Sequence, residues 1–241
     1  VVFFSLEMPA EQIMMRMLAD KTSIPLQEIM TASLDDEKLA HFSHACSEFS
    51  HAKLFVHDSG YVNIHQVRTQ LRKLKSAHPE ISLCVIDYIG LMMSTNNYAD
   101  RHIQIAEISR GLKLLARELD MPIIALSQLN RGLEARANKR PMLSDLRESG
   151  AIEQDADIIL FVYRHEVYLE QEENEKKSKA AAEGKEYKSE HVFNKLQENA
   201  EIIVGKNRNG EVGSIDVLFQ KQYSRFCDIA TTPVQSTEFK E

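Results

Sequence analysis

Ser82 to Met93 reads SLCVIDYIGLMM, an apolar run interrupted by one carboxylate, Asp87. Aliphatic and β-branched residues that run continuously into an acid predict a strand buried on both faces, with its carboxylate delivered at the C-terminal edge of a parallel sheet. Ligands of open α/β sheets bind at that edge. A strand-end Asp taken singly more often caps the following loop, so the neighbouring strands decide the reading. Val1 to Leu6, VVFFSL, ends at Glu7, and Pro122 to Ser127, PIIALS, ends at Gln128. Three apolar strands, each delivering a polar group at its C-terminal end, predict one site assembled from strand ends. An acid to hold Mg²⁺, an acid to activate water and an amide to sense a phosphate are the parts that nucleotide hydrolysis requires.

The remaining composition sets bounds. With 241 residues and 43% hydrophobic content, the chain can form one large α/β domain. A net charge of −7 argues against nonspecific coating of nucleic acid, so any DNA contact must come from a local patch. Cys46, Cys84 and Cys227 have no CxxC spacing and read as reduced, buried thiols, which suits a cytoplasmic protein. No run approaches the ~20 apolar residues that span a bilayer, and no membrane partner is expected. The chain opens inside a strand and without Met, which leads us to expect further protein upstream.

In chain order, Pro9 opens a helix with Ile13, Met14, Met17 and Leu18 as its apolar stripe. A short turn at Pro25 to Met30 precedes a helix from Asp35 to Phe49, with Leu39, Phe42, Cys46 and Phe49 on one face. His41 and His44 lie beside Cys46, but a fourth metal ligand is missing. A strand at Lys53 to His57 follows, then a helix capped by Asn63. That helix has an apolar face of Ile64, Val67, Leu71 and Leu74 and a basic face of Arg68, Arg72, Lys73 and Lys75, read as a solvated surface. After the Asp87 strand come a polar loop (Ser94 to Asp100) and a long amphipathic helix to Leu119. Alternating strands and helices imply a parallel sheet.

From Leu129 to Asp145 the grammar breaks into a mobile basic loop with Arg131, Arg136, Lys139 and Arg140, the best local candidate for contact with single-stranded phosphates. A buried strand is expected at Ile158 to Tyr163. Residues Glu166 to Asn199, rich in Glu, Lys and Ala, read as an insertion of solvated helix or disorder. Strands then return at Ala200 to Lys206, Ser214 to Phe219 and around Tyr223 to Ile229, with a hairpin turn at Asn207 to Gly210. The tail, residues 231–241, is polar and reads as frayed.

Five blocks are specific enough to carry a resemblance: SLEMP (Ser5 to Pro9), VIDYIGLM (within Val85 to Met93), EISRGLKLLARELDMPIIALSQLNR (Glu107 to Arg131), KRPMLSDLRESGAIEQDAD (Lys139 to Asp157) and GKNRNG (Gly205 to Gly210). With these, the chain closely resembles the C-terminal motor domain of DnaB-type replicative DNA helicases, a RecA-like ATPase that works as a ring-shaped homohexamer. The resemblance spans nearly everything except Glu166 to Asn199 and the tail, making residues 1–241 a partial RecA-like motor domain with a C-terminal β-hairpin region.

The resemblance implies ATP and Mg²⁺ as cofactors and single-stranded DNA as partner. In the intact protein it also implies primase and helicase-loading factors. Residue by residue, it makes Glu7 the base that orients the attacking water and Asp87 the acid that supports Mg²⁺, directly or through water. Gln128 becomes the γ-phosphate sensor. Arg147, Glu148 and Gly150 correspond to a loop on single-stranded DNA phosphates, and Lys206 and Arg208 to a pair reaching a neighbouring subunit's ATP site.

Two departures stand out. Gly90 replaces a Gln found in most relatives, and no GxxxxGK[ST] occurs in the chain. The family carries that loop just before the strand at Val1, so the sequence as it stands is expected to bind ATP poorly. Two competing readings are an assembly or adaptor module without hydrolysis and a recombinase or signalling ATPase. The first is opposed by Glu7, Asp87, Gln128 and Arg208 being present together, the second by the DLRESG block.

Overall fold

The computed structural model describes residues 1–94, 100–189 and 191–229, apart from the side chains of 147–149. Two four-stranded sheets organise it. The first is parallel, in the order β2-β1-β3-β4, from β1 (Val2–Ser5), β2 (Phe55–His57), β3 (Cys84–Asp87) and β4 (Ile123–Ala125). Helices fill the connections: α1 (Ala10–Thr22), α2 (Leu26–Met30) and α3 (Asp36–Ser50) between β1 and β2, α4 (Ile64–Ala77) between β2 and β3, and α5 (Arg101–Glu118) between β3 and β4. The second sheet is antiparallel, in the order β5-β6-β7-β8, from β5 (Ile158–Tyr163), β6 (Gln197–Asn207), β7 (Gly213–Gln220) and β8 (Arg225–Asp228). A short helix α6 (Gly150–Asp155) leads into β5, and α7 (His165–Ala182) joins β5 to β6.

The main core forms where β1 and β3 meet α4 and α5. Phe4, Ile86, Val67, Ile108 and Leu115 are all fully buried there. Helix α4 starts where the sequence places it because Asn63 accepts a bond from the Gln66 amide (3.0 Å) while Gln66 Oε1 accepts from the Asn63 amide (2.9 Å), a reciprocal cap. A second cluster holds α1 to α3 together through Leu18, Ala19, Ile29 and Ala45, with Phe42, Cys46 and Phe49 against it. Leu39, expected on that face, is exposed, and on α1 the inward residues are Met15, Leu18 and Ala19. Burial pushes the Cys84 thiol up to about 12, which keeps it protonated and inert.

Several elements differ from the sequence expectation. Only Cys84–Asp87 of the central run is strand, because the chain turns into a short 3-10 segment at Ile89–Leu91. Strand β4 is not buried: Ile124 and Leu126 are 52% and 41% exposed, since β4 is the outermost strand of its sheet. On β5, Ile159, Phe161 and Tyr163 face the core while Ile158, Leu160 and Val162 are exposed. Strand β6 begins at Gln197, three residues inside the charged stretch, where Glu198 is buried against Arg164 and Lys221. The tail expected to fray lies outside the described residues.

The two halves of the chain are tied by Arg225. Its guanidinium donates to the Asp20 carbonyl (3.1 Å) and Ser23 Oγ (3.1 Å) at the end of α1. No described helix is long and apolar enough to cross a membrane.

Candidate active site

Parallel pairing aligns Ser5 with Asp87, and the Leu6 amide donates to the Asp87 carbonyl (2.7 Å). Glu7 therefore leaves β1 beside the end of β3. On the other side of β3 the Leu126 amide donates to the Ile86 carbonyl (2.9 Å), and the Ile89 amide donates back to the Leu126 carbonyl (3.0 Å), so Gln128 leaves β4 beside the same strand end. Adjacent order β1-β3-β4 thus sets Glu7, Asp87 and Gln128 in a row along one sheet edge, as the sequence predicts. The Asp87–Tyr88 peptide bond is cis.

Burial, and then the charge of Glu7, raise the Asp87 carboxyl above its ordinary range. Glu7 and Gln128 are exposed. Among the described residues no ion pair neutralises Glu7 or Asp87, and two uncompensated carboxylates at one strand edge form an oxygen donor set suited to a hard divalent cation. Gln128 also lines a cavity of about 440 Å³ with Tyr88, Gly90, Arg101 and Arg131. Gly90 matters there: a Cβ would sit 2.5 Å from Tyr88 Cε2, so any larger side chain would displace the tyrosine ring.

Lys206 and Arg208 belong to the other sheet, at the end of β6. The Lys206 ammonium donates to the carbonyls of Glu153 and of Ala156, the latter at 2.7 Å. Arg208 donates from its main chain to the Asp157 carbonyl (2.9 Å) and from its side chain to the Gln154 carbonyl, with Nη1 3.4 Å from Asp157 Oδ1. Both cations are thus gathered at the C-terminal end of α6, where helix carbonyls favour positive charge.

The residues expected at DNA divide. Arg131 is exposed and faces the cavity beside Gln128. Arg136 is held inside its own loop: it makes a two-point pair with buried Asp145 (3.0 and 2.9 Å) and also donates to the carbonyls of Asn138 and Arg140. Lys139 pairs with Glu172 and Arg140 with Glu201, so this basic stretch is folded down rather than free. Gly150 meets only open space, and the side chains of Arg147 and Glu148 lie outside the described residues.

His41, His44 and Cys46 do not come together as a ligand set. Among the described residues the one group of three is Glu166, Glu170 and Glu198, already met by Lys221 and Arg164. Sequence reasoning missed the brace around α6, in which Asp155 accepts from Ser109 Oγ (3.0 Å) and Arg110 (3.3 Å) and Asp157 from Lys113. The repeated acids of EQDAD, opposite the Ser109, Arg110 and Lys113 spacing of a helix face, were its only local signal.

Comparison with known proteins supports the fold and places the chain in a family. The DnaB-like helicase C terminal domain family matches residues 1–228. The replicative DNA helicase DnaB of Helicobacter pylori (strain ATCC 700392 / 26695) is 46% identical over 95% of the chain and 49% of its own length. That of Rickettsia conorii is 40% identical over 98% of the chain and 47% of its own length. The chain therefore spans about half the length of these relatives. Among solved structures, an ATPase domain superposes with a TM-score of 0.81 at 35% identity, over 95% of this chain and 74% of that one. A DnaB-like replicative helicase described with its interactions with primase gives a TM-score of 0.80 at 35% identity, over 95% and 50%. With a RecA-like α/β fold, the strand-end row and this match over nearly its whole length, the chain belongs to the DnaB-like helicase C-terminal domain family.

Proposed function

We propose that this chain is the larger part of the motor of a replicative DNA helicase, which couples ATP hydrolysis to movement along single-stranded DNA as a cytoplasmic homohexamer. The observation that carries the reading is the row of Glu7, Asp87 and Gln128 on three adjacent parallel strands. The adaptor reading would leave that row of exposed and half-buried polar groups without a task. Primase and loading factors are proposed as partners of the intact protein.

Asp87 would hold Mg²⁺, directly or through water, and Mg²⁺ bound with ATP supplies a γ-phosphoryl group whose charge is partly neutralised for attack. The Glu7 carboxylate orients a water and accepts its hydrogen bond. Gln128 reads the γ-phosphate position and, through the cavity it shares with Arg131, adjoins the segment proposed to meet DNA with Arg147, Glu148 and Gly150. Arg208 stabilises transition-state charge in a neighbouring subunit's site, a role worth on the order of 10³ to 10⁵ in rate. A Gly-rich phosphate loop is not among the 241 residues. The 241 residues alone are accordingly proposed to bind ATP weakly.

The test mixes full-length Arg208→Ala with full-length Glu7→Ala, each inactive alone, under conditions of proven subunit exchange. Single-turnover ATP hydrolysis should partly return, because some interfaces regain an intact Glu7 from one subunit and an intact Arg208 from the other. No recovery in rings shown to be mixed would refute a shared site.

A further inference from the structure

The contacts around Arg208 do not read as a stability device. The Asp157 and Arg208 side chains are 55% and 45% exposed, and an ion pair so open to water contributes little to stability. What the contacts restrict is direction. A guanidinium has five N–H groups, and the recorded side-chain bonds of Arg208 use one on each terminal nitrogen, toward Asp157 Oδ1 and the Gln154 carbonyl. The main-chain amide is fixed by the same residue, at the Asp157 carbonyl. Asp157 is itself anchored, because its second carboxylate oxygen accepts from Lys113 on α5. Lys113 first, then the charges of Arg208 and Lys206, hold the Asp157 carboxyl below its usual range, so it is ionised at neutral pH.

We propose that Asp157 is the positioning residue of Arg208. Braced by Lys113, it holds one corner of the guanidinium while the Gln154 carbonyl holds another, so that the remaining N–H groups are aimed before a phosphate arrives. Such pre-orientation matters because charge stabilisation by a fixed donor needs no reorganisation at the moment of reaction. Lys206, whose ammonium is taken up by two main-chain carbonyls, ties the end of β6 to the same end of α6. The inference rests on the role proposed above for Arg208.

The experiment uses full-length protein and steady-state ATP hydrolysis with single-stranded DNA present. Asp157→Asn keeps the shape and the main-chain carbonyl while removing the charge. We expect kcat to fall about tenfold to a hundredfold, the scale of a small misplacement of a reacting group, with KM for ATP within about twofold and the melting temperature and ring retained. In an Arg208→Lys background the same substitution should cost no more than a further twofold, since both changes disturb one cation. Lys113→Met, which loosens the brace from the other side, should lower kcat in the same direction by a smaller factor, and it carries the test if Asp157→Asn does not fold. Hydrolysis within twofold of wild type in Asp157→Asn, or a loss that multiplies in full with that of Arg208→Lys, overturns the inference. Unimpaired hydrolysis in Arg208→Ala instead sinks the reading of Arg208, and the positioning role falls with it.

Discussion

The parallel and antiparallel sheets place their functional groups in opposite ways. In the parallel sheet Glu7 and Asp87 lie at the ends of strands whose residues Phe4 and Ile86 are fully buried, so the acids inherit the rigidity of the core. In the antiparallel sheet Lys206 and Arg208 lie where β6 runs out into a turn, oriented by side-chain and carbonyl contacts to α6 and Asp157. A site whose acids are fixed by packing and whose cation is fixed by polar contacts on a separate sheet suits assembly across copies. The acids need not move, and the cation is held by its polar contacts rather than by the core.

The contrast can be broken most strongly through the core. Phe4→Ala removes a fully buried ring and should cost about 3 to 5 kcal/mol, whereas Leu160→Ala on the exposed face of β5 should cost under about 1 kcal/mol. Denaturant unfolding of both variants in the intact protein checks this, and equal losses would show that the second sheet is covered and packed like the first.

Arg136 offers a sharper division. Arg136→Ala leaves the carboxylate of Asp145, which is 8% exposed, without its two-point partner, and should cost about 2 to 3 kcal/mol of stability. Its effect on the salt dependence of single-stranded DNA binding should be nil. Arg147→Ala should do the reverse, flattening the salt slope by about one phosphate contact with little loss of stability. A salt slope that changes with Arg136 and not with Arg147 would exchange the two assignments.

Gly205 tests how closely β6 approaches its neighbour. A Cβ there would lie 2.5 Å from Phe161 Cε2, so Gly205→Ala should overpack that contact and destabilise by about 1 to 3 kcal/mol. A melting temperature unchanged in Gly205→Ala would mean the ring moves aside freely.

The smallest expected effect concerns the acids themselves. Folding raises the Asp87 pKa, so its carboxylate opposes folding above that pKa, and the penalty is relieved as pH falls through it. Glu7→Gln removes one of the two causes and should move the Asp87 pKa downward, leaving the contribution of burial. Carboxyl-carbon NMR titration reads the shift, and an unmoved or raised value would separate the two acids.

Much of this was legible in sequence because the signals are local. The Asn63 cap, the strand ends at Glu7 and Asp87 and the 3.6-residue apolar spacing of α4 each lie within a few residues. The exposure of β4 was not legible, because PIIALS reads the same at a sheet edge as in its centre. Arg136 looked like a free cation for a related reason: charge composition does not register that Asp145, nine residues on, takes both ends of its guanidinium. The brace on Arg208 joins Lys113 to Asp157 across 44 positions, and such pairing leaves no periodic trace.

The open outer edge of β4 has a practical side. Ile124 and Leu126 are uncovered there, with Ile158, Leu160, Val162 and Ile215 exposed on the second sheet. Unpaired strand edges and apolar rows of this kind invite other chains to add on. Expressed by itself, this stretch of polypeptide should be a sticky protein, prone to inclusion bodies and to soluble aggregates on a sizing column, and solubilised by whatever covers that row.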